Sequence, residues 1–255
     1  MSGVPGKVYL VGAGPGAADL LTLRAARLLQ DANVVFYDAL VNPEVVALAA
    51  RAQKIAVGKR CGAHSTAQRF INKRLVDAAR TDGLVVRLKG GDPMLFGRAQ
   101  EEIDALHAEG IEVEVVPGVT AALAASAALK VSLTRRGVSR NVAFVTPRVG
   151  ESERASDWIA SAASADTAVV YMGAREAAML SRELVSRGLA PDTPVAVVED
   201  ASLASERSHT GTLAGLETLA TRLGAGPAIV VIGQVLRELV AARRDAEPGA
   251  LRKAS

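Results

Sequence analysis

Between Lys7 and Ala121 the chain repeats one pattern: a short run rich in β-branched residues, a loop carrying glycine or charge, then an amphipathic segment. The runs are Lys7–Gly12, Asn33–Asp38, Lys54–Gly58, Leu84–Leu88 and Glu112–Val116. Helical periodicity follows them over Asp19–Gln30, Asn42–Arg51, Ser65–Arg80, Gly97–Glu109 and Thr120–Leu129. Strands alternating with helices predict a largely parallel sheet covered by helices. Ligands of such sheets bind beyond the carboxyl ends of the strands. The loops after the runs are therefore where function is sought.

The polar stretch Ser132–Val138 interrupts this pattern and reads as an interdomain linker. Beyond it the spacing predicts strands at Asn141–Thr146, Thr167–Met172, Pro194–Glu199, His209–Leu213 and Ala228–Gly233. One long helix is expected at Ala174–Arg187. The extended excursion near His209 predicts a mixed sheet. The expected architecture is two α/β domains, over 1–133 and 139–245, with a polar tail over 246–255 that frays from Arg243 onward. A length of 255 residues suits two domains, and 49% hydrophobic content is enough to give each a core.

The net charge is +3, no Lys/Arg block stands out, and only 3% of residues are aromatic. That argues against nucleic acid and fits a polyanionic small substrate. The lone cysteine, Cys61, excludes an intramolecular disulfide and suits a reducing compartment. No signal-peptide core and no apolar run of about 20 residues is present. A cytoplasmic protein without a membrane partner is expected. His64, His107 and His209 lack metal-ligand spacing, so no metal is expected.

Each loop after a strand offers a functional reading and a plainer one. Gly12-Ala-Gly-Pro-Gly16 resembles a dinucleotide fingerprint, but Ala17 stands where GxGxxG has its third glycine, and Pro15 has no N–H for a phosphate. It permits close backbone approach to a ligand, or only turns the chain. Asp38 at the end of the second strand suits a general base or a cation ligand; a helix cap is the alternative. Lys59 and Arg60 suit carboxylate recognition or plain surface charge, and Lys59 can also exchange a proton if desolvated. Gly90-Gly-Asp92 puts a carboxylate on a bare backbone loop, suited to ribose hydroxyls or an amino group. Thr120 caps the small-residue helix that follows the fifth strand, which leaves room for a flat ligand.

Taken in order, five segments resemble the uroporphyrinogen-III C-methyltransferase family of the tetrapyrrole methylases. They are Val11-Gly-Ala-Gly-Pro-Gly16, Val35-Phe-Tyr-Asp-Ala-Leu-Val41, Val57-Gly-Lys-Arg60, Val86-Arg-Leu-Lys-Gly-Gly-Asp-Pro93 and Val115-Val-Pro-Gly-Val-Thr-Ala121. Val170-Tyr-Met-Gly173 adds a further match. The resemblance implies S-adenosylmethionine as methyl donor, held between the domains, and methylation of uroporphyrinogen III at C2 and C7 to give precorrin-2. It assigns Pro15, Gly90, Gly91, Asp92, Leu95, Thr120, Ala121, Met172 and Ala201 to the donor. It makes Asp38 the proton acceptor and Lys59 the proton donor, and it implies a homodimer. Arg60, Lys89, Arg98 and Arg135 are candidate partners for the substrate carboxylates.

The chain departs from the family pattern at Pro147-Arg148, Ser132-Leu-Thr-Arg135, Ala63 and Val198-Glu-Asp-Ala201, which affects substrate contacts more than the donor site. It also lacks the dehydrogenase and ferrochelatase module fused to some relatives, so the reaction is expected to stop at precorrin-2. The rival readings are a methylase of a later precorrin and an NAD- or nucleotide-binding regulatory protein.

Overall fold

A computed structural model describes residues 6–57, 68–149 and 156–246. By internal contacts the chain divides between Ala121 and Ala122 into two compact units.

The first unit holds strands β1 (Val8–Gly12), β2 (Val34–Tyr37), β3 (Gln53–Ala56), β4 (Val85–Lys89) and β5 (Val113–Val116). They form one parallel sheet in the order β3-β2-β4-β1-β5. Its helices are α1 (Leu23–Asp31), α2 (Pro43–Ala47), α3 (Gln68–Thr81) and α4 (Ala99–Ala108). On one face Val11, Val35, Val86 and Leu88 pack against Ala25 and Leu29 of α1 and Val45 and Val46 of α2. On the other, Val8, Leu10, Phe36 and Val85 meet Ile71 and Leu75 of α3 and Leu106 of α4. The central strands β2, β4 and β1 are therefore covered on both sides, as the interior of a parallel sheet requires, while the edge strand β3 stays largely exposed.

Local chemistry fixes where the helices begin. The Thr22 hydroxyl accepts from the Ala25 amide at 3.1 Å and caps α1. Asn42 caps α2 ahead of Pro43, and its amide nitrogen also donates to the Gly16 carbonyl at 2.9 Å. The start of α2 is thus tied to the loop after β1.

The second unit opens with α5 (Ala121–Leu129) and carries β6 (Val142–Val145), β7 (Thr167–Tyr171), β8 (Pro194–Glu199), β9 (Arg207–Thr212) and β10 (Ala228–Gly233). The sheet is mixed, in the order β6-β7-β10-β8-β9, with only β6 and β7 paired in parallel. Helices α6 (Trp158–Ser164), α7 (Ala177–Ser186) and α8 (Leu216–Ala220) bury Ile159, Ala162, Leu180, Leu184, Leu216 and Leu219 against one face. Helix α9 (Arg237–Ala246) ends the described chain.

Three expectations change. The segment read as a linker is a folded turn: Arg135 and Ser139 exchange backbone hydrogen bonds of 3.0 and 2.8 Å. The buried Ser139 hydroxyl lies 2.9 Å from that of Thr167. The division between compact units falls at the start of α5, between its first residue Ala121 and Ala122. The chain beyond Arg243 stays helical to Ala246, and the Arg243 guanidinium donates to Ser208 Oγ at 3.0 Å. The rest of the expected tail, 247–255, lies outside the described residues.

His209 on β9 has a buried Nε2 with no hydrogen-bond partner among the described residues. Burial, with the Arg222 and Arg207 charges, holds its pKa below the ordinary histidine value. The unfolded chain therefore takes up a proton first as pH falls through about 6.5, and stability is lost from there down to the folded pKa. His209→Gln should flatten that part of the stability curve. Urea titrations at mildly alkaline and mildly acidic pH check it, and an unchanged acid loss in the variant would count against the assignment.

Candidate functional site

Strands β1 and β4 are neighbours, yet the helices after them leave to opposite faces: α1 to one, α4 to the other. A crevice opens at the carboxyl ends where such paths diverge. The loops after β1, β4 and β5 meet there. Gly14 and Gly91 pair as an isolated bridge, with Gly91 N donating to Gly14 O at 2.7 Å. A Cβ on Gly118 would sit 2.3 Å from Gly91 O and 2.8 Å from the Gly12 Cα. The three loops therefore interlock backbone on backbone, which only glycine permits. Gly91 also has φ +65°.

Asp92 serves this arrangement directly. One of its oxygens accepts from Met94 N at 2.8 Å and the other from Gly118 N at 3.0 Å. The carboxylate read as a ligand group thus also bolts the β4 loop to the β5 loop. Leu95 N donates to the Asp92 carbonyl at 3.3 Å. A Cβ on Gly91 would lie 3.9 Å from Thr120 Cα and 4.0 Å from Ala121 N. Gly90, Gly91, Asp92, Leu95, Thr120 and Ala121 are therefore gathered at one end of the sheet, beside the loop holding Pro15.

Met172 and Ala201 belong to the second unit. They follow β7 and β8, which run in the same direction on either side of β10, so both lie at one edge of that sheet. Met172 is left-handed at φ 56° and about half exposed. Asp200 (φ 52°) and Ser202 (φ 75°) flank Ala201 in the same conformation, and Phe96 (φ 52°) follows Leu95. Left-handed non-glycine residues are costly and collect at ligand sites. Here they fall beside residues that the sequence had already singled out.

Asp38 follows β2 on the face that Phe36 presents to α3 and α4. Its Oδ1 accepts from Arg87 Nη2 at 2.6 Å. Arg87 Nε donates to Glu102 Oε1 at 2.8 Å, and Lys89 Nζ donates to Glu102 Oε2 at 2.9 Å. Gln68 Nε2 adds a bond of 3.2 Å to Glu102 Oε1. Arg87 and Lys89 are 2% and 3% exposed and Glu102 is fully buried, whereas the Asp38 side chain keeps 31% of its surface open. Burial disfavours the Arg87 charge, but Asp38 and Glu102 outweigh it and raise its pKa. Burial, then the Arg87 charge, lowers the pKa of Lys89 against the pull of Glu102 and Asp38.

Lys89 is therefore no open cation. Residues two apart on a strand share a face, so Arg87 and Lys89 both point to α4, where Glu102 pairs them. Arg98 is exposed and grips Glu101 through two bonds, of 2.7 and 2.8 Å. Arg135 is exposed in the second unit and paired with Glu238 at 2.9 Å. Lys59, Arg60, Cys61, Ala63 and His64 lie outside the described residues. Arg87 and Glu102 went unassigned in the sequence. Their one signal is two charges at strand spacing in the otherwise apolar run Val85–Lys89. Among the described residues no group of three or more His, Cys, Asp or Glu side chains is placed to hold a metal ion, and no helix is long and apolar enough to cross a membrane.

The family model described as "Tetrapyrrole (Corrin/Porphyrin) Methylases" matches residues 7–217. A uroporphyrinogen-III C-methyltransferase of Pseudomonas aeruginosa is 47% identical, over 92% of this chain and 96% of the relative. A siroheme synthase of Edwardsiella ictaluri is 47% identical over 91% of this chain but only 50% of its own length. The chain thus spans about half the length of the siroheme synthases it matches. The solved uroporphyrin-III C-methyl transferase of Thermus thermophilus, complexed with S-adenyl homocysteine, superposes with a TM-score of 0.80 at 42% identity, covering 91% of this chain and all of that one.

Proposed function

The chain belongs to the tetrapyrrole methylases, and on that premise we propose that it transfers methyl groups from S-adenosylmethionine to C2 and C7 of uroporphyrinogen III, giving precorrin-2. What carries the reading is the match in both directions to the Pseudomonas aeruginosa methyltransferase, which leaves little of either chain unaccounted for. The precorrin-2 so formed stands upstream of sirohaem and cobalamin. The same reading makes the protein a cytoplasmic homodimer with neither nucleic-acid nor membrane partners, which sedimentation and cell fractionation would check.

The donor's sulfonium supplies an activated methyl group, so the protein's task is placement and exclusion of water. The bare backbone at Gly90 and Gly91 lets a nucleoside lie close, with Thr120 beside it, and Asp92 keeps those loops in register. Pro15, Leu95, Ala121, Met172 and Ala201 complete the proposed donor contacts. Methylation of a pyrrole carbon leaves a proton to be removed. Asp38 takes that part as acceptor, with Lys59 as donor. Arg60, Arg98 and Arg135 are proposed to meet the substrate carboxylates.

Supplying uroporphyrinogen III and labelled donor to the purified protein should give a dimethylated product. Incorporation only into a later precorrin would move the assignment within the family. Tight NAD binding without S-adenosylhomocysteine binding in calorimetry would remove it altogether.

Met172→Gly relieves a left-handed φ and should raise stability by about 1 kcal/mol. The same change should weaken S-adenosylhomocysteine binding, because a side chain on the donor is removed. Melting and calorimetry on one sample read both. A variant that is less stable, or binds as tightly, argues against the assignment.

A further inference from the structure

Among the described residues, the buried groups behind Asp38 are linked by hydrogen bonds, and Arg87 Nη1 also donates to the Leu88 carbonyl at 3.2 Å. Arg87 spans two carboxylates, Asp38 on the open side and Glu102 inside. Glu102 in turn accepts from Arg87, Lys89 and Gln68. Among the described residues, the charged groups acting here are Arg87 and Lys89 from β4, Glu102 from α4 and Asp38 itself; Glu101 of α4 also faces Lys89, and α3 contributes the uncharged Gln68 and sets Arg74 over the Phe36 ring. The two cations and two carboxylates balance.

We infer that Glu102 is a positioning residue: with Lys89 as its counter-cation, it fixes the Arg87 guanidinium through Nε so that Nη2 is aimed at Asp38.

The physical case rests on geometry and burial. An arginine held at Nε by one carboxylate has its plane set, so Nη2 can reach Asp38 in only one direction. A buried pair that merely held the fold would not need a second cation, because Arg87 and Glu102 already neutralise each other. Lys89 balances the charge of Asp38, which Arg87 would otherwise have to neutralise along with Glu102. A carboxylate braced in this way points one way, which a proton acceptor requires. The inference rests on the proposed role of Asp38.

Two variants of opposite charge effect test it. Glu102→Gln removes a negative charge behind Asp38, so the Asp38 carboxylate should titrate at lower pH. Lys89→Met removes a positive charge, so it should titrate at higher pH. Each displacement should be roughly half a pH unit or more. The double variant restores the balance and should return Asp38 towards the wild-type titration. The readout is the carboxyl carbon-13 shift of Asp38 in the full chain, assigned by its disappearance in Asp38→Asn. The acid limb of the methyl-transfer profile should move with it while the donor KM holds.

A fold defect cannot move two titrations in opposite directions. Should Glu102→Gln fail to fold, Lys89→Met and the charge-balanced double variant still decide the matter. Identical Asp38 titrations in all proteins would overturn the inference even if the wild type methylates. Opposite shifts in a protein that does not methylate would uphold the brace and sink the methylase reading instead.

Discussion

Asp38→Asn should cut methyl transfer by about 10²–10⁴-fold while leaving S-adenosylhomocysteine affinity unchanged. Asparagine has the shape of aspartate, so the β2 end and the loops that hold the donor are not disturbed. What is lost is the negative charge that Arg87 Nη2 meets at 2.6 Å and, on the proposed role, the acceptor for a proton from the methylated ring. Asp38 is also the open member of its cluster, with 31% of its side chain exposed against 2% for Arg87. A reactant can reach it without disturbing the buried members. Single-turnover transfer with labelled donor, beside calorimetry, separates the two effects. Unaltered transfer would remove Asp38 from the mechanism, and lost affinity would make it a donor ligand instead.

Gly118→Ala should be among the most damaging single methyls at the described glycines. The added carbon would sit 2.3 Å from Gly91 O and 2.8 Å from Gly12 Cα. Both neighbours are backbone and cannot rotate away. The loops after β1, β4 and β5 must part, and the Gly118 amide must leave Asp92. A cost of about 3 kcal/mol or more is expected, which corresponds to a fall in Tm of roughly 6–12 °C. S-adenosylhomocysteine binding should weaken at least about tenfold. Gly110→Ala is the matched control. It bears φ +69° but nothing within 4 Å of its Cβ, so only local strain of about 1 kcal/mol applies. Equal melting of the two variants would show that the interlock is not as described.

The alternation of strands and helices was legible because parallel strands must be apolar on both faces and helices on one. In the first unit that constraint is strongest at β1, β2 and β4; the edge strands β3 and β5 carry Gln53, Lys54 and Glu114 and are legible from their place in the alternation. It fades in the second. Helix α6 is built from Trp, Ile, Ala and Ser, without an amphipathic stripe long enough to stand out. Helix α9 runs on past Arg243 into the stretch that reads as polar tail, and its docking through Arg243 onto Ser208 is a tertiary event. Helix α2 stops at Ala47, short of the Asn42–Arg51 expected, although its cap and its proline were visible.

The site shows the same division. Glycines and Asp92 announce themselves because few roles suit them in a loop. Arg87 and Glu102 do not, since most charged residues face water and an exception shows only when the partner is in place. They lie 15 residues apart, on a strand and the helix that follows it. No local pattern links them. Lys89 shows the converse: an apparent surface cation turns inward because the strand's alternation demands it.

The interlock at Gly12, Gly91 and Gly118 also limits how such a protein can be re-engineered. A library that randomises whole loops would lose most members to clashes between main chains before any ligand is met. Diversity is better placed at Leu95 and Thr120, which lie beside that contact in the sequence of the same loops without forming it. Altered donor or substrate preference should then emerge from changes at the rim, with the three glycines kept as fixed points of the template.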